Sequence, residues 1–261
     1  MFQLQTDLDK LVEWAKTWRM QFNIDKCSVI HLGFSNPKHD YTMLDTCTNK
    51  RHKLSSVISE RDLGVLVDQK LTFSQHTESQ VNKAFRIVGI IRRTFTHFDI
   101  KTFKKLYVTL VRPILEYCNV ICYPRYKKDL ILLESVLRKA SKMVPCLRDL
   151  SYENRLRTLC LPSTKYRFLR GDLIETYKWF NVYKCSNKLF EAKNRIITRG
   201  HLFKLKKDFC QLDVRKTFFT MRVVNHWNNL PNDIVCAKSI NEFKNKLDNH
   251  LSDVYYSYEE N

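Results

Sequence analysis

The chain has 261 residues, 44% hydrophobic and 12% aromatic, which supports a buried core and excludes a disordered chain. It holds 5 glycines, too few for a fold built on tight turns, so helix is favoured over sandwich or barrel. Formal net charge is +18; the longest aliphatic stretch, Ile87-Val-Gly-Ile-Ile91, is too short to span a bilayer; and nine cysteines lack a repeating spacing. A reduced, intracellular protein with no membrane role is expected.

Leu4, Leu8, Leu11, Ala15, Trp18 and Phe22 recur at 4-3-4-3-4 spacing, which predicts a helix over residues 2–22 with these side chains on its core face. A polar turn leads to a strand at 27–32. Asn36, Pro37 and Asp40 mark a loop, and Tyr41–Leu44 and Leu63-Gly-Val-Leu-Val67 read as further strands. From about residue 72 the period is helical. One stripe is Val81, Ala84, Phe85, Val88, Ile91 and Phe95. A second is Phe103, Leu106, Tyr107, Leu110, Val111 and Ile114, where Pro113 should kink or end the helix early. A third runs Leu133, Val136, Leu137, Ala140 and Val144, closed by Pro145. A fourth, Tyr166, Leu169, Leu173, Tyr177 and Phe180, follows Ser163 as N-cap. Residues 184–213 are basic and weakly periodic and read as loop. A helix containing Phe218, Val223, Val224 and Trp227 then stops at Leu230-Pro231. The last helix opens with the capping box Ser239-Ile-Asn-Glu242 and buries Phe243, Leu247 and Leu251, before an end frayed around Glu259 and Glu260. The fold class is α+β, mainly helical. It falls into 1–75 (helix plus strands), 76–182 (basic and helical) and 183–261 (loop and two helices).

Charge is unevenly spread. Residues 1–80 carry 10 Lys/Arg against 10 Asp/Glu, residues 81–180 carry 21 against 8, and residues 181–261 carry 14 against 9. A basic field concentrated in the middle attracts polyanions, because bound Lys and Arg release counterions condensed on phosphates.

Five segments in order resemble the reverse transcriptases of non-LTR (LINE-type, jockey-like) retrotransposons, over roughly residues 3–250. They are Leu4 through Trp14 with Phe22-Asn-Ile-Asp-Lys-Cys27; Arg61-Asp-Leu-Gly-Val-Leu-Val-Asp-Gln-Lys-Leu-Thr-Phe73; Leu106-Tyr-Val-Thr-Leu-Val-Arg-Pro-Ile-Leu-Glu-Tyr-Cys118; Leu156 through Pro162 with Tyr166-Arg-Phe-Leu-Arg-Gly-Asp172; and Phe218 through Pro231. The resemblance implies the end of a palm with primer-grip-like strands, a thumb, and a C-terminal extension. It also implies a departure. In that family a Phe/Tyr-Ala-Asp-Asp strand precedes the first of these helices, whereas this sequence has no Asp-Asp pair. Two-metal nucleotidyl transfer needs carboxylates that clamp Mg²⁺ ions about 4 Å apart. Asp62 and Asp68 flank the Leu63–Val67 strand and read as turn and surface residues. No cofactor is therefore expected in this chain, Mg²⁺ belongs to a full-length relative, and polymerase activity is not expected of the chain alone. Lys26 matches the lysine that protonates the pyrophosphate leaving group in the family; without metals it is at best a vestigial general acid.

A thumb holds its duplex through phosphates, without reading sequence. The candidate contacts are Arg92, Arg93, Lys104, Lys105, Arg112, Lys127, Lys128, Arg138 and Lys139, with Lys83 and Arg86 extending the first helix's polar side. Phe98, Tyr107 and Tyr126 are candidates for stacking on bases. Arg199 through Lys207, with His201 and Phe203 interleaved, reads as a flexible phosphate-binding arm. Cys118-x-x-x-Cys122 lacks the second ligand pair of a zinc site, so no metal is expected. The expected partner is RNA or an RNA–DNA hybrid, with the family's palm and fingers as a further partner if made in a longer chain. The alternative is a helical interaction protein with no nucleic-acid role. Exposed apolar surface is expected on residues 1–70, where a palm sheet would continue.

Overall fold

Contacts divide the chain between Thr72 and Phe73 into two units. The computed structural model describes residues 2–183, 189–190 and 201–256, so Cys185, Arg199, Glu259 and Glu260, each part of an expectation above, lie outside the described residues. The architecture is α+β and mainly helical. Residues 76–182 and 183–261 belong to the same unit.

The first unit opens with α1, Phe2–Thr17. The helix stops five residues before the expected end. Arg19 takes a left-handed φ of 54°, and Met20 N–H reaches back to Ala15 O at 2.8 Å, closing the last turn. Its buried face is Leu8, Val12 and Ala15, against Met43 and Leu54. The expected stripe is thus split: Leu8 and Ala15 join the buried face with Val12, while Leu4 and Leu11 are exposed, as are Trp14 beside them and Trp18 and Phe22 beyond the helix. Two apolar stripes about 100° apart share the helix, and the 4-3-4-3-4 spacing runs across both. Phe34, Ile58 and Leu63 add exposed apolar area on this unit, as expected of residues 1–70.

Three two-stranded sheets complete the unit. Strand β1 (Ser28–Ile30) pairs in parallel with β4 (Ser55–Val57). The hairpin of β2 (Thr42–Asp45) and β3 (Lys50–Lys53) and the hairpin of β5 (Ser59–Asp62) and β6 (Val65–Asp68) are antiparallel. Strands β1, β2 and β6 stand within a residue or two of expectation. No period marks β3, β4 or β5: Lys50-Arg-His-Lys53 is exposed throughout and has no apolar face to alternate, and β4 and β5 are short and mostly exposed. The Gln5 amide pairs with both backbone groups of Thr42, at 2.9 and 3.0 Å, so a helix side chain satisfies the β2 edge as a strand would.

The β5–β6 turn is the two-residue loop Leu63-Gly64, with φ of 44° and 87°. Both central residues are left-handed, as a type I′ hairpin requires, and Leu63 is 86% exposed. A branched residue there carries strain that asparagine avoids. Leu63→Asn is expected to stabilise the first unit by about 0.5–1 kcal/mol. An unchanged or lower urea midpoint for that unit would contradict this.

The second unit begins with α2 (Ser74–Thr94). Next come α3 (Ile100–Leu106), a wide π-type segment over Tyr107–Val111, and α4 (Arg112–Leu115). Pro113 therefore does not end the helix. Its missing N–H and bulky ring are accommodated by the widened turn. The buried residues here are Phe103, Tyr107, Val111 and Leu115, four apart each time, and Leu110 is left exposed. The extra residue in the wide turn shifts the register that a 3.6 period predicts.

Helices α5 (Lys127–Ala140) and α6 (Tyr152–Leu159) pack with α2 and α3 around Val81, Ala84, Phe103, Val136, Leu137 and Leu156. Helix α7 (Thr164–Asn181) is capped by Ser163, whose hydroxyl accepts Tyr166 N–H at 3.2 Å. Its Phe168 enters that core, while Leu173, Ile174 and Tyr177 enter a second core. The short helix α8 (Asp213–Lys216) buries no residue. The second core is built mainly on α9 (Phe219–Asn228), α10 (Asn232–Val235) and α11 (Ile240–His250) around Trp227, Phe243 and Leu247. Ser239 caps α11 by accepting Glu242 N–H, and Glu242 reaches back to Lys238 N–H, one residue earlier than in the usual capping box.

Candidate nucleic-acid interface

Helices α2 and α5 both end at one cleft of the second unit, with a volume of about 1090 Å³. Arg92 comes from the last turn of α2 and Lys139 from the last turn of α5. Cations at these positions complement the partial negative charge of a helix C-terminus. Beyond α2 the chain leaves helical geometry at Phe95, whose N–H still bonds Ile91 O at 3.0 Å, and Phe95, His97, Phe98 and Asp99 line one wall. Beyond α5, two short turns, Ser141–Met143 and Pro145–Leu147, bring Lys142 and Arg148 to the other wall.

Four cationic side chains thus face one carboxylate. Asp99 is already committed as the N-cap of α3. It accepts Thr102 N–H at 2.7 Å, and the Thr102 hydrogen bonds hold its carboxyl below the usual aspartate range. Arg92, Lys142 and Arg148 form no ion pair among the described residues, and the Lys139 ammonium lies 4.9 Å from the centre of the Phe85 ring. Each is exposed. The cleft therefore retains its positive charge, the requirement for holding phosphates.

The other expected contacts do not converge on it. Arg93 is exposed on α2 outside the cleft, and Lys104 and Lys105 sit on the last turn of α3. Lys127 and Lys128 start α5, about 18 Å from Lys139 along the helix axis. Lys128 lies 5.5 Å from the Tyr126 ring, which Arg125 also flanks, at 5.7 Å. Arg112 and Arg138 turn inward. Arg112 is half-buried beside Glu116 at 3.8 Å, and burial together with neighbouring Arg167 lowers its pKa. Arg138 packs its guanidinium 5.0 Å from the Tyr152 ring. Helical spacing alone does not separate a cation lying over a core aromatic from one facing solvent.

Tyr107 is 4% exposed and stacks on Phe103 at 5.9 Å, so it is a core residue and not a base platform; burial pushes its phenol up. The described part of the basic arm, His201 through Lys207, is docked on α9. His201 Nε2 meets Trp227 O at 3.0 Å, Phe203 O accepts the Trp227 indole N–H at 2.8 Å, and the Asn228 amide pairs with both backbone groups of Leu205. His201 and Leu205 are buried. An edge-on match to one helix, invisible to periodicity, fixes a segment that composition alone reads as free.

Lys26 is exposed in the short turn Ile24–Lys26. Asp62 and Asp68 stand at opposite ends of the β5–β6 ladder, about 10 Å apart by strand rise. Asp68 is occupied by the Lys70 and Thr72 N–H groups. These carboxylates do not fit a pair of Mg²⁺ ions, and among the described residues no three His, Cys, Asp or Glu side chains gather to hold a metal. Burial and the neighbouring Cys118 push the Cys122 thiol up to about 12, so this pair is not a ready thiolate ligand. No helix among the described residues is long and apolar enough to cross a membrane.

His97, Lys142 and Arg148 lie outside the contacts that the helical spacing predicts, and that spacing puts Phe95 on the α2 core stripe. Phe95 is instead 37% exposed, one residue past the helix end. The usable signal for the others was the run Arg138-Lys139-x-x-Lys142 continuing past Pro145 to Arg148.

No family model matches the chain, and no solved structure matches it. Over 98 residues it is 35% identical to an uncharacterized protein of Caenorhabditis elegans, a match covering 36% of this chain and 50% of that protein, so the chain spans about half the length of the curated relative.

Proposed function

We propose that this chain is a reverse-transcriptase-like segment without polymerase chemistry of its own, which holds RNA or an RNA–DNA hybrid by its phosphates. The observation that carries the binding is the cleft of Arg92, Lys139, Lys142 and Arg148, whose single carboxylate is spent on a helix cap. The ordered resemblance of five segments supports the lineage. The absence of an Asp-Asp pair from the sequence supports the loss of nucleotide addition.

The test is fluorescence anisotropy with a labelled hybrid between 50 and 200 mM salt. Log affinity should fall linearly with log salt. Neutralising Arg92, Lys142 and Arg148 to glutamine should flatten the slope by about 3, roughly one per lost phosphate contact. A triple variant with an unchanged slope, or Mg²⁺-dependent extension of a primer by the chain, would overturn the proposal.

The exposed Leu4–Leu11–Trp14–Trp18 stripe favours a second reading, a surface for protein association. Concentration-dependent self-association by sedimentation, abolished in Trp14→Gln/Trp18→Gln, would support it. A monomer that captures no palm or fingers segment of a related polymerase would remove it.

A further inference from the structure

We infer that the cleft takes an unpaired nucleotide, with Phe95 as the stacking platform for its base and the four cations as the holders of its phosphates. The inference rests on the phosphate-binding reading above and specifies its substrate as nucleic acid with a single-stranded end.

Phosphate contacts alone leave Phe95 unexplained. The residue is exposed, yet it does not belong to a floppy end, because its backbone N–H is tied to Ile91 O. Its ring is propped from one side by Phe98, with centroids 6.2 Å apart and planes at 49°. Phe98 in turn packs on the core. Two rings already in contact leave no slot between them, so a base stacks on the outer face of Phe95.

That face lies in the same cleft as Arg92, Lys139, Lys142 and Arg148. Aromatic rings beside a cationic groove are how single strands are held, because every base has a π face and every nucleotide a phosphate. A paired duplex hides its base faces except at its terminal pairs, so an exposed ring adds more affinity for an unpaired strand than for a duplex. His97 stands between the two phenylalanines in sequence and on the same wall, where its ring nitrogens can reach a base edge. The cleft, at about 1090 Å³ and open to solvent, has room for a nucleotide beside its phosphates.

The experiment compares three labelled RNA–DNA hybrids of equal duplex length on the full chain: blunt, with a six-nucleotide overhang, and with an abasic overhang of the same length. The abasic strand keeps the added phosphates and removes the bases. The base-bearing overhang should bind about tenfold tighter than the abasic one. Phe95→Ala should reduce that difference to less than twofold, and Phe95→Tyr should retain it. Equal affinity for abasic and base-bearing overhangs would overturn the inference and leave phosphate binding standing. Equal loss on all three hybrids in Phe95→Ala would also overturn it, making Phe95 a structural residue. Failure of the unmodified chain to bind any hybrid would instead sink the phosphate-binding reading.

Discussion

Asp172→Ala is expected to destabilise the second unit by about 3–5 kcal/mol, because it strands a buried guanidinium. The Arg222 side chain is 11% exposed and that of Asp172 5%, and they meet in a two-pronged pair at 2.8 and 2.7 Å. The other guanidinium hydrogens go to Thr217 O and Val120 O, both at 2.8 Å, and the group lies 4.5 Å from the Tyr123 ring. One arginine thus ties the turn after α4 to α7 and α9. The pair itself adds little net stability, since taking both charges out of water costs about what their attraction returns. The double variant Asp172→Leu/Arg222→Met should therefore regain most of the loss. Urea unfolding decides it: a single variant costing under 1 kcal/mol, or a double variant no better than the single, would refute this account.

The carboxyl titrations carry the same logic. Burial pushes Asp172 above the usual aspartate range, with Arg222 offsetting only part of it. A raised acid favours the folded state below the pH at which unfolded aspartates ionise, and that contribution fades as pH rises through its folded value. Asp248 behaves oppositely. Burial pushes it up, but hydrogen bonds from Arg170 (2.5 and 2.8 Å) and Tyr166 (2.7 Å) together leave it below the usual range. Its contribution is present above the unfolded value and is lost as pH falls through its folded one. Acid sensitivity of this unit should thus be traced by carboxyl NMR to the lowered acids, Asp248 and Asp99 among them, and not to Asp172.

Trp227→Ala should cost about 3–5 kcal/mol and loosen the basic segment it helps anchor. Trp227 is fully buried, stacked on Phe180 at 5.6 Å and close to Phe243 and His201. Its indole N–H bonds Phe203 O, so the side chain serves both the core and one point of the docked segment, while the backbone carbonyl at His201 and the Asn228 amide at Leu205 persist in the variant. Trp227→Phe keeps much of the volume and loses the indole donor, costing about 1–3 kcal/mol. Trypsin should cut after Lys204, Lys206 or Lys207 faster in the alanine variant than in the parent. Unchanged cleavage would mean that the segment is held elsewhere.

Sequence pattern was most informative where one helix face is covered along its whole length. The α5 stripe Leu133, Val136, Leu137 and Ala140 is buried residue for residue, and Ser163 and Ser239 cap where their spacing put them. It misled where a second contact decides orientation. Leu4, Leu11 and Trp18 repeat as regularly as Leu8, Val12 and Ala15, and only the strands that cover the latter distinguish them. At the cleft, Arg92 and Lys139 were legible because they follow helical stripes. Lys142 and Arg148 were not, because two short turns carry them and no period runs through those turns. Arg112 and Arg138 look like surface cations in a string of letters; Tyr152 comes to Arg138 from another helix, and the burial of Arg112 beside Glu116 and Arg167 depends on packing that no period shows.

Helix α7 serves two cores at once, giving Phe168 to one and Leu173, Ile174 and Tyr177 to the other. Neither layer can loosen alone without stripping one side of this shared helix. Amide exchange in α5 and α11, which contribute to different layers, should accordingly proceed through a common opening event at matching rates, so that the two layers melt as one body.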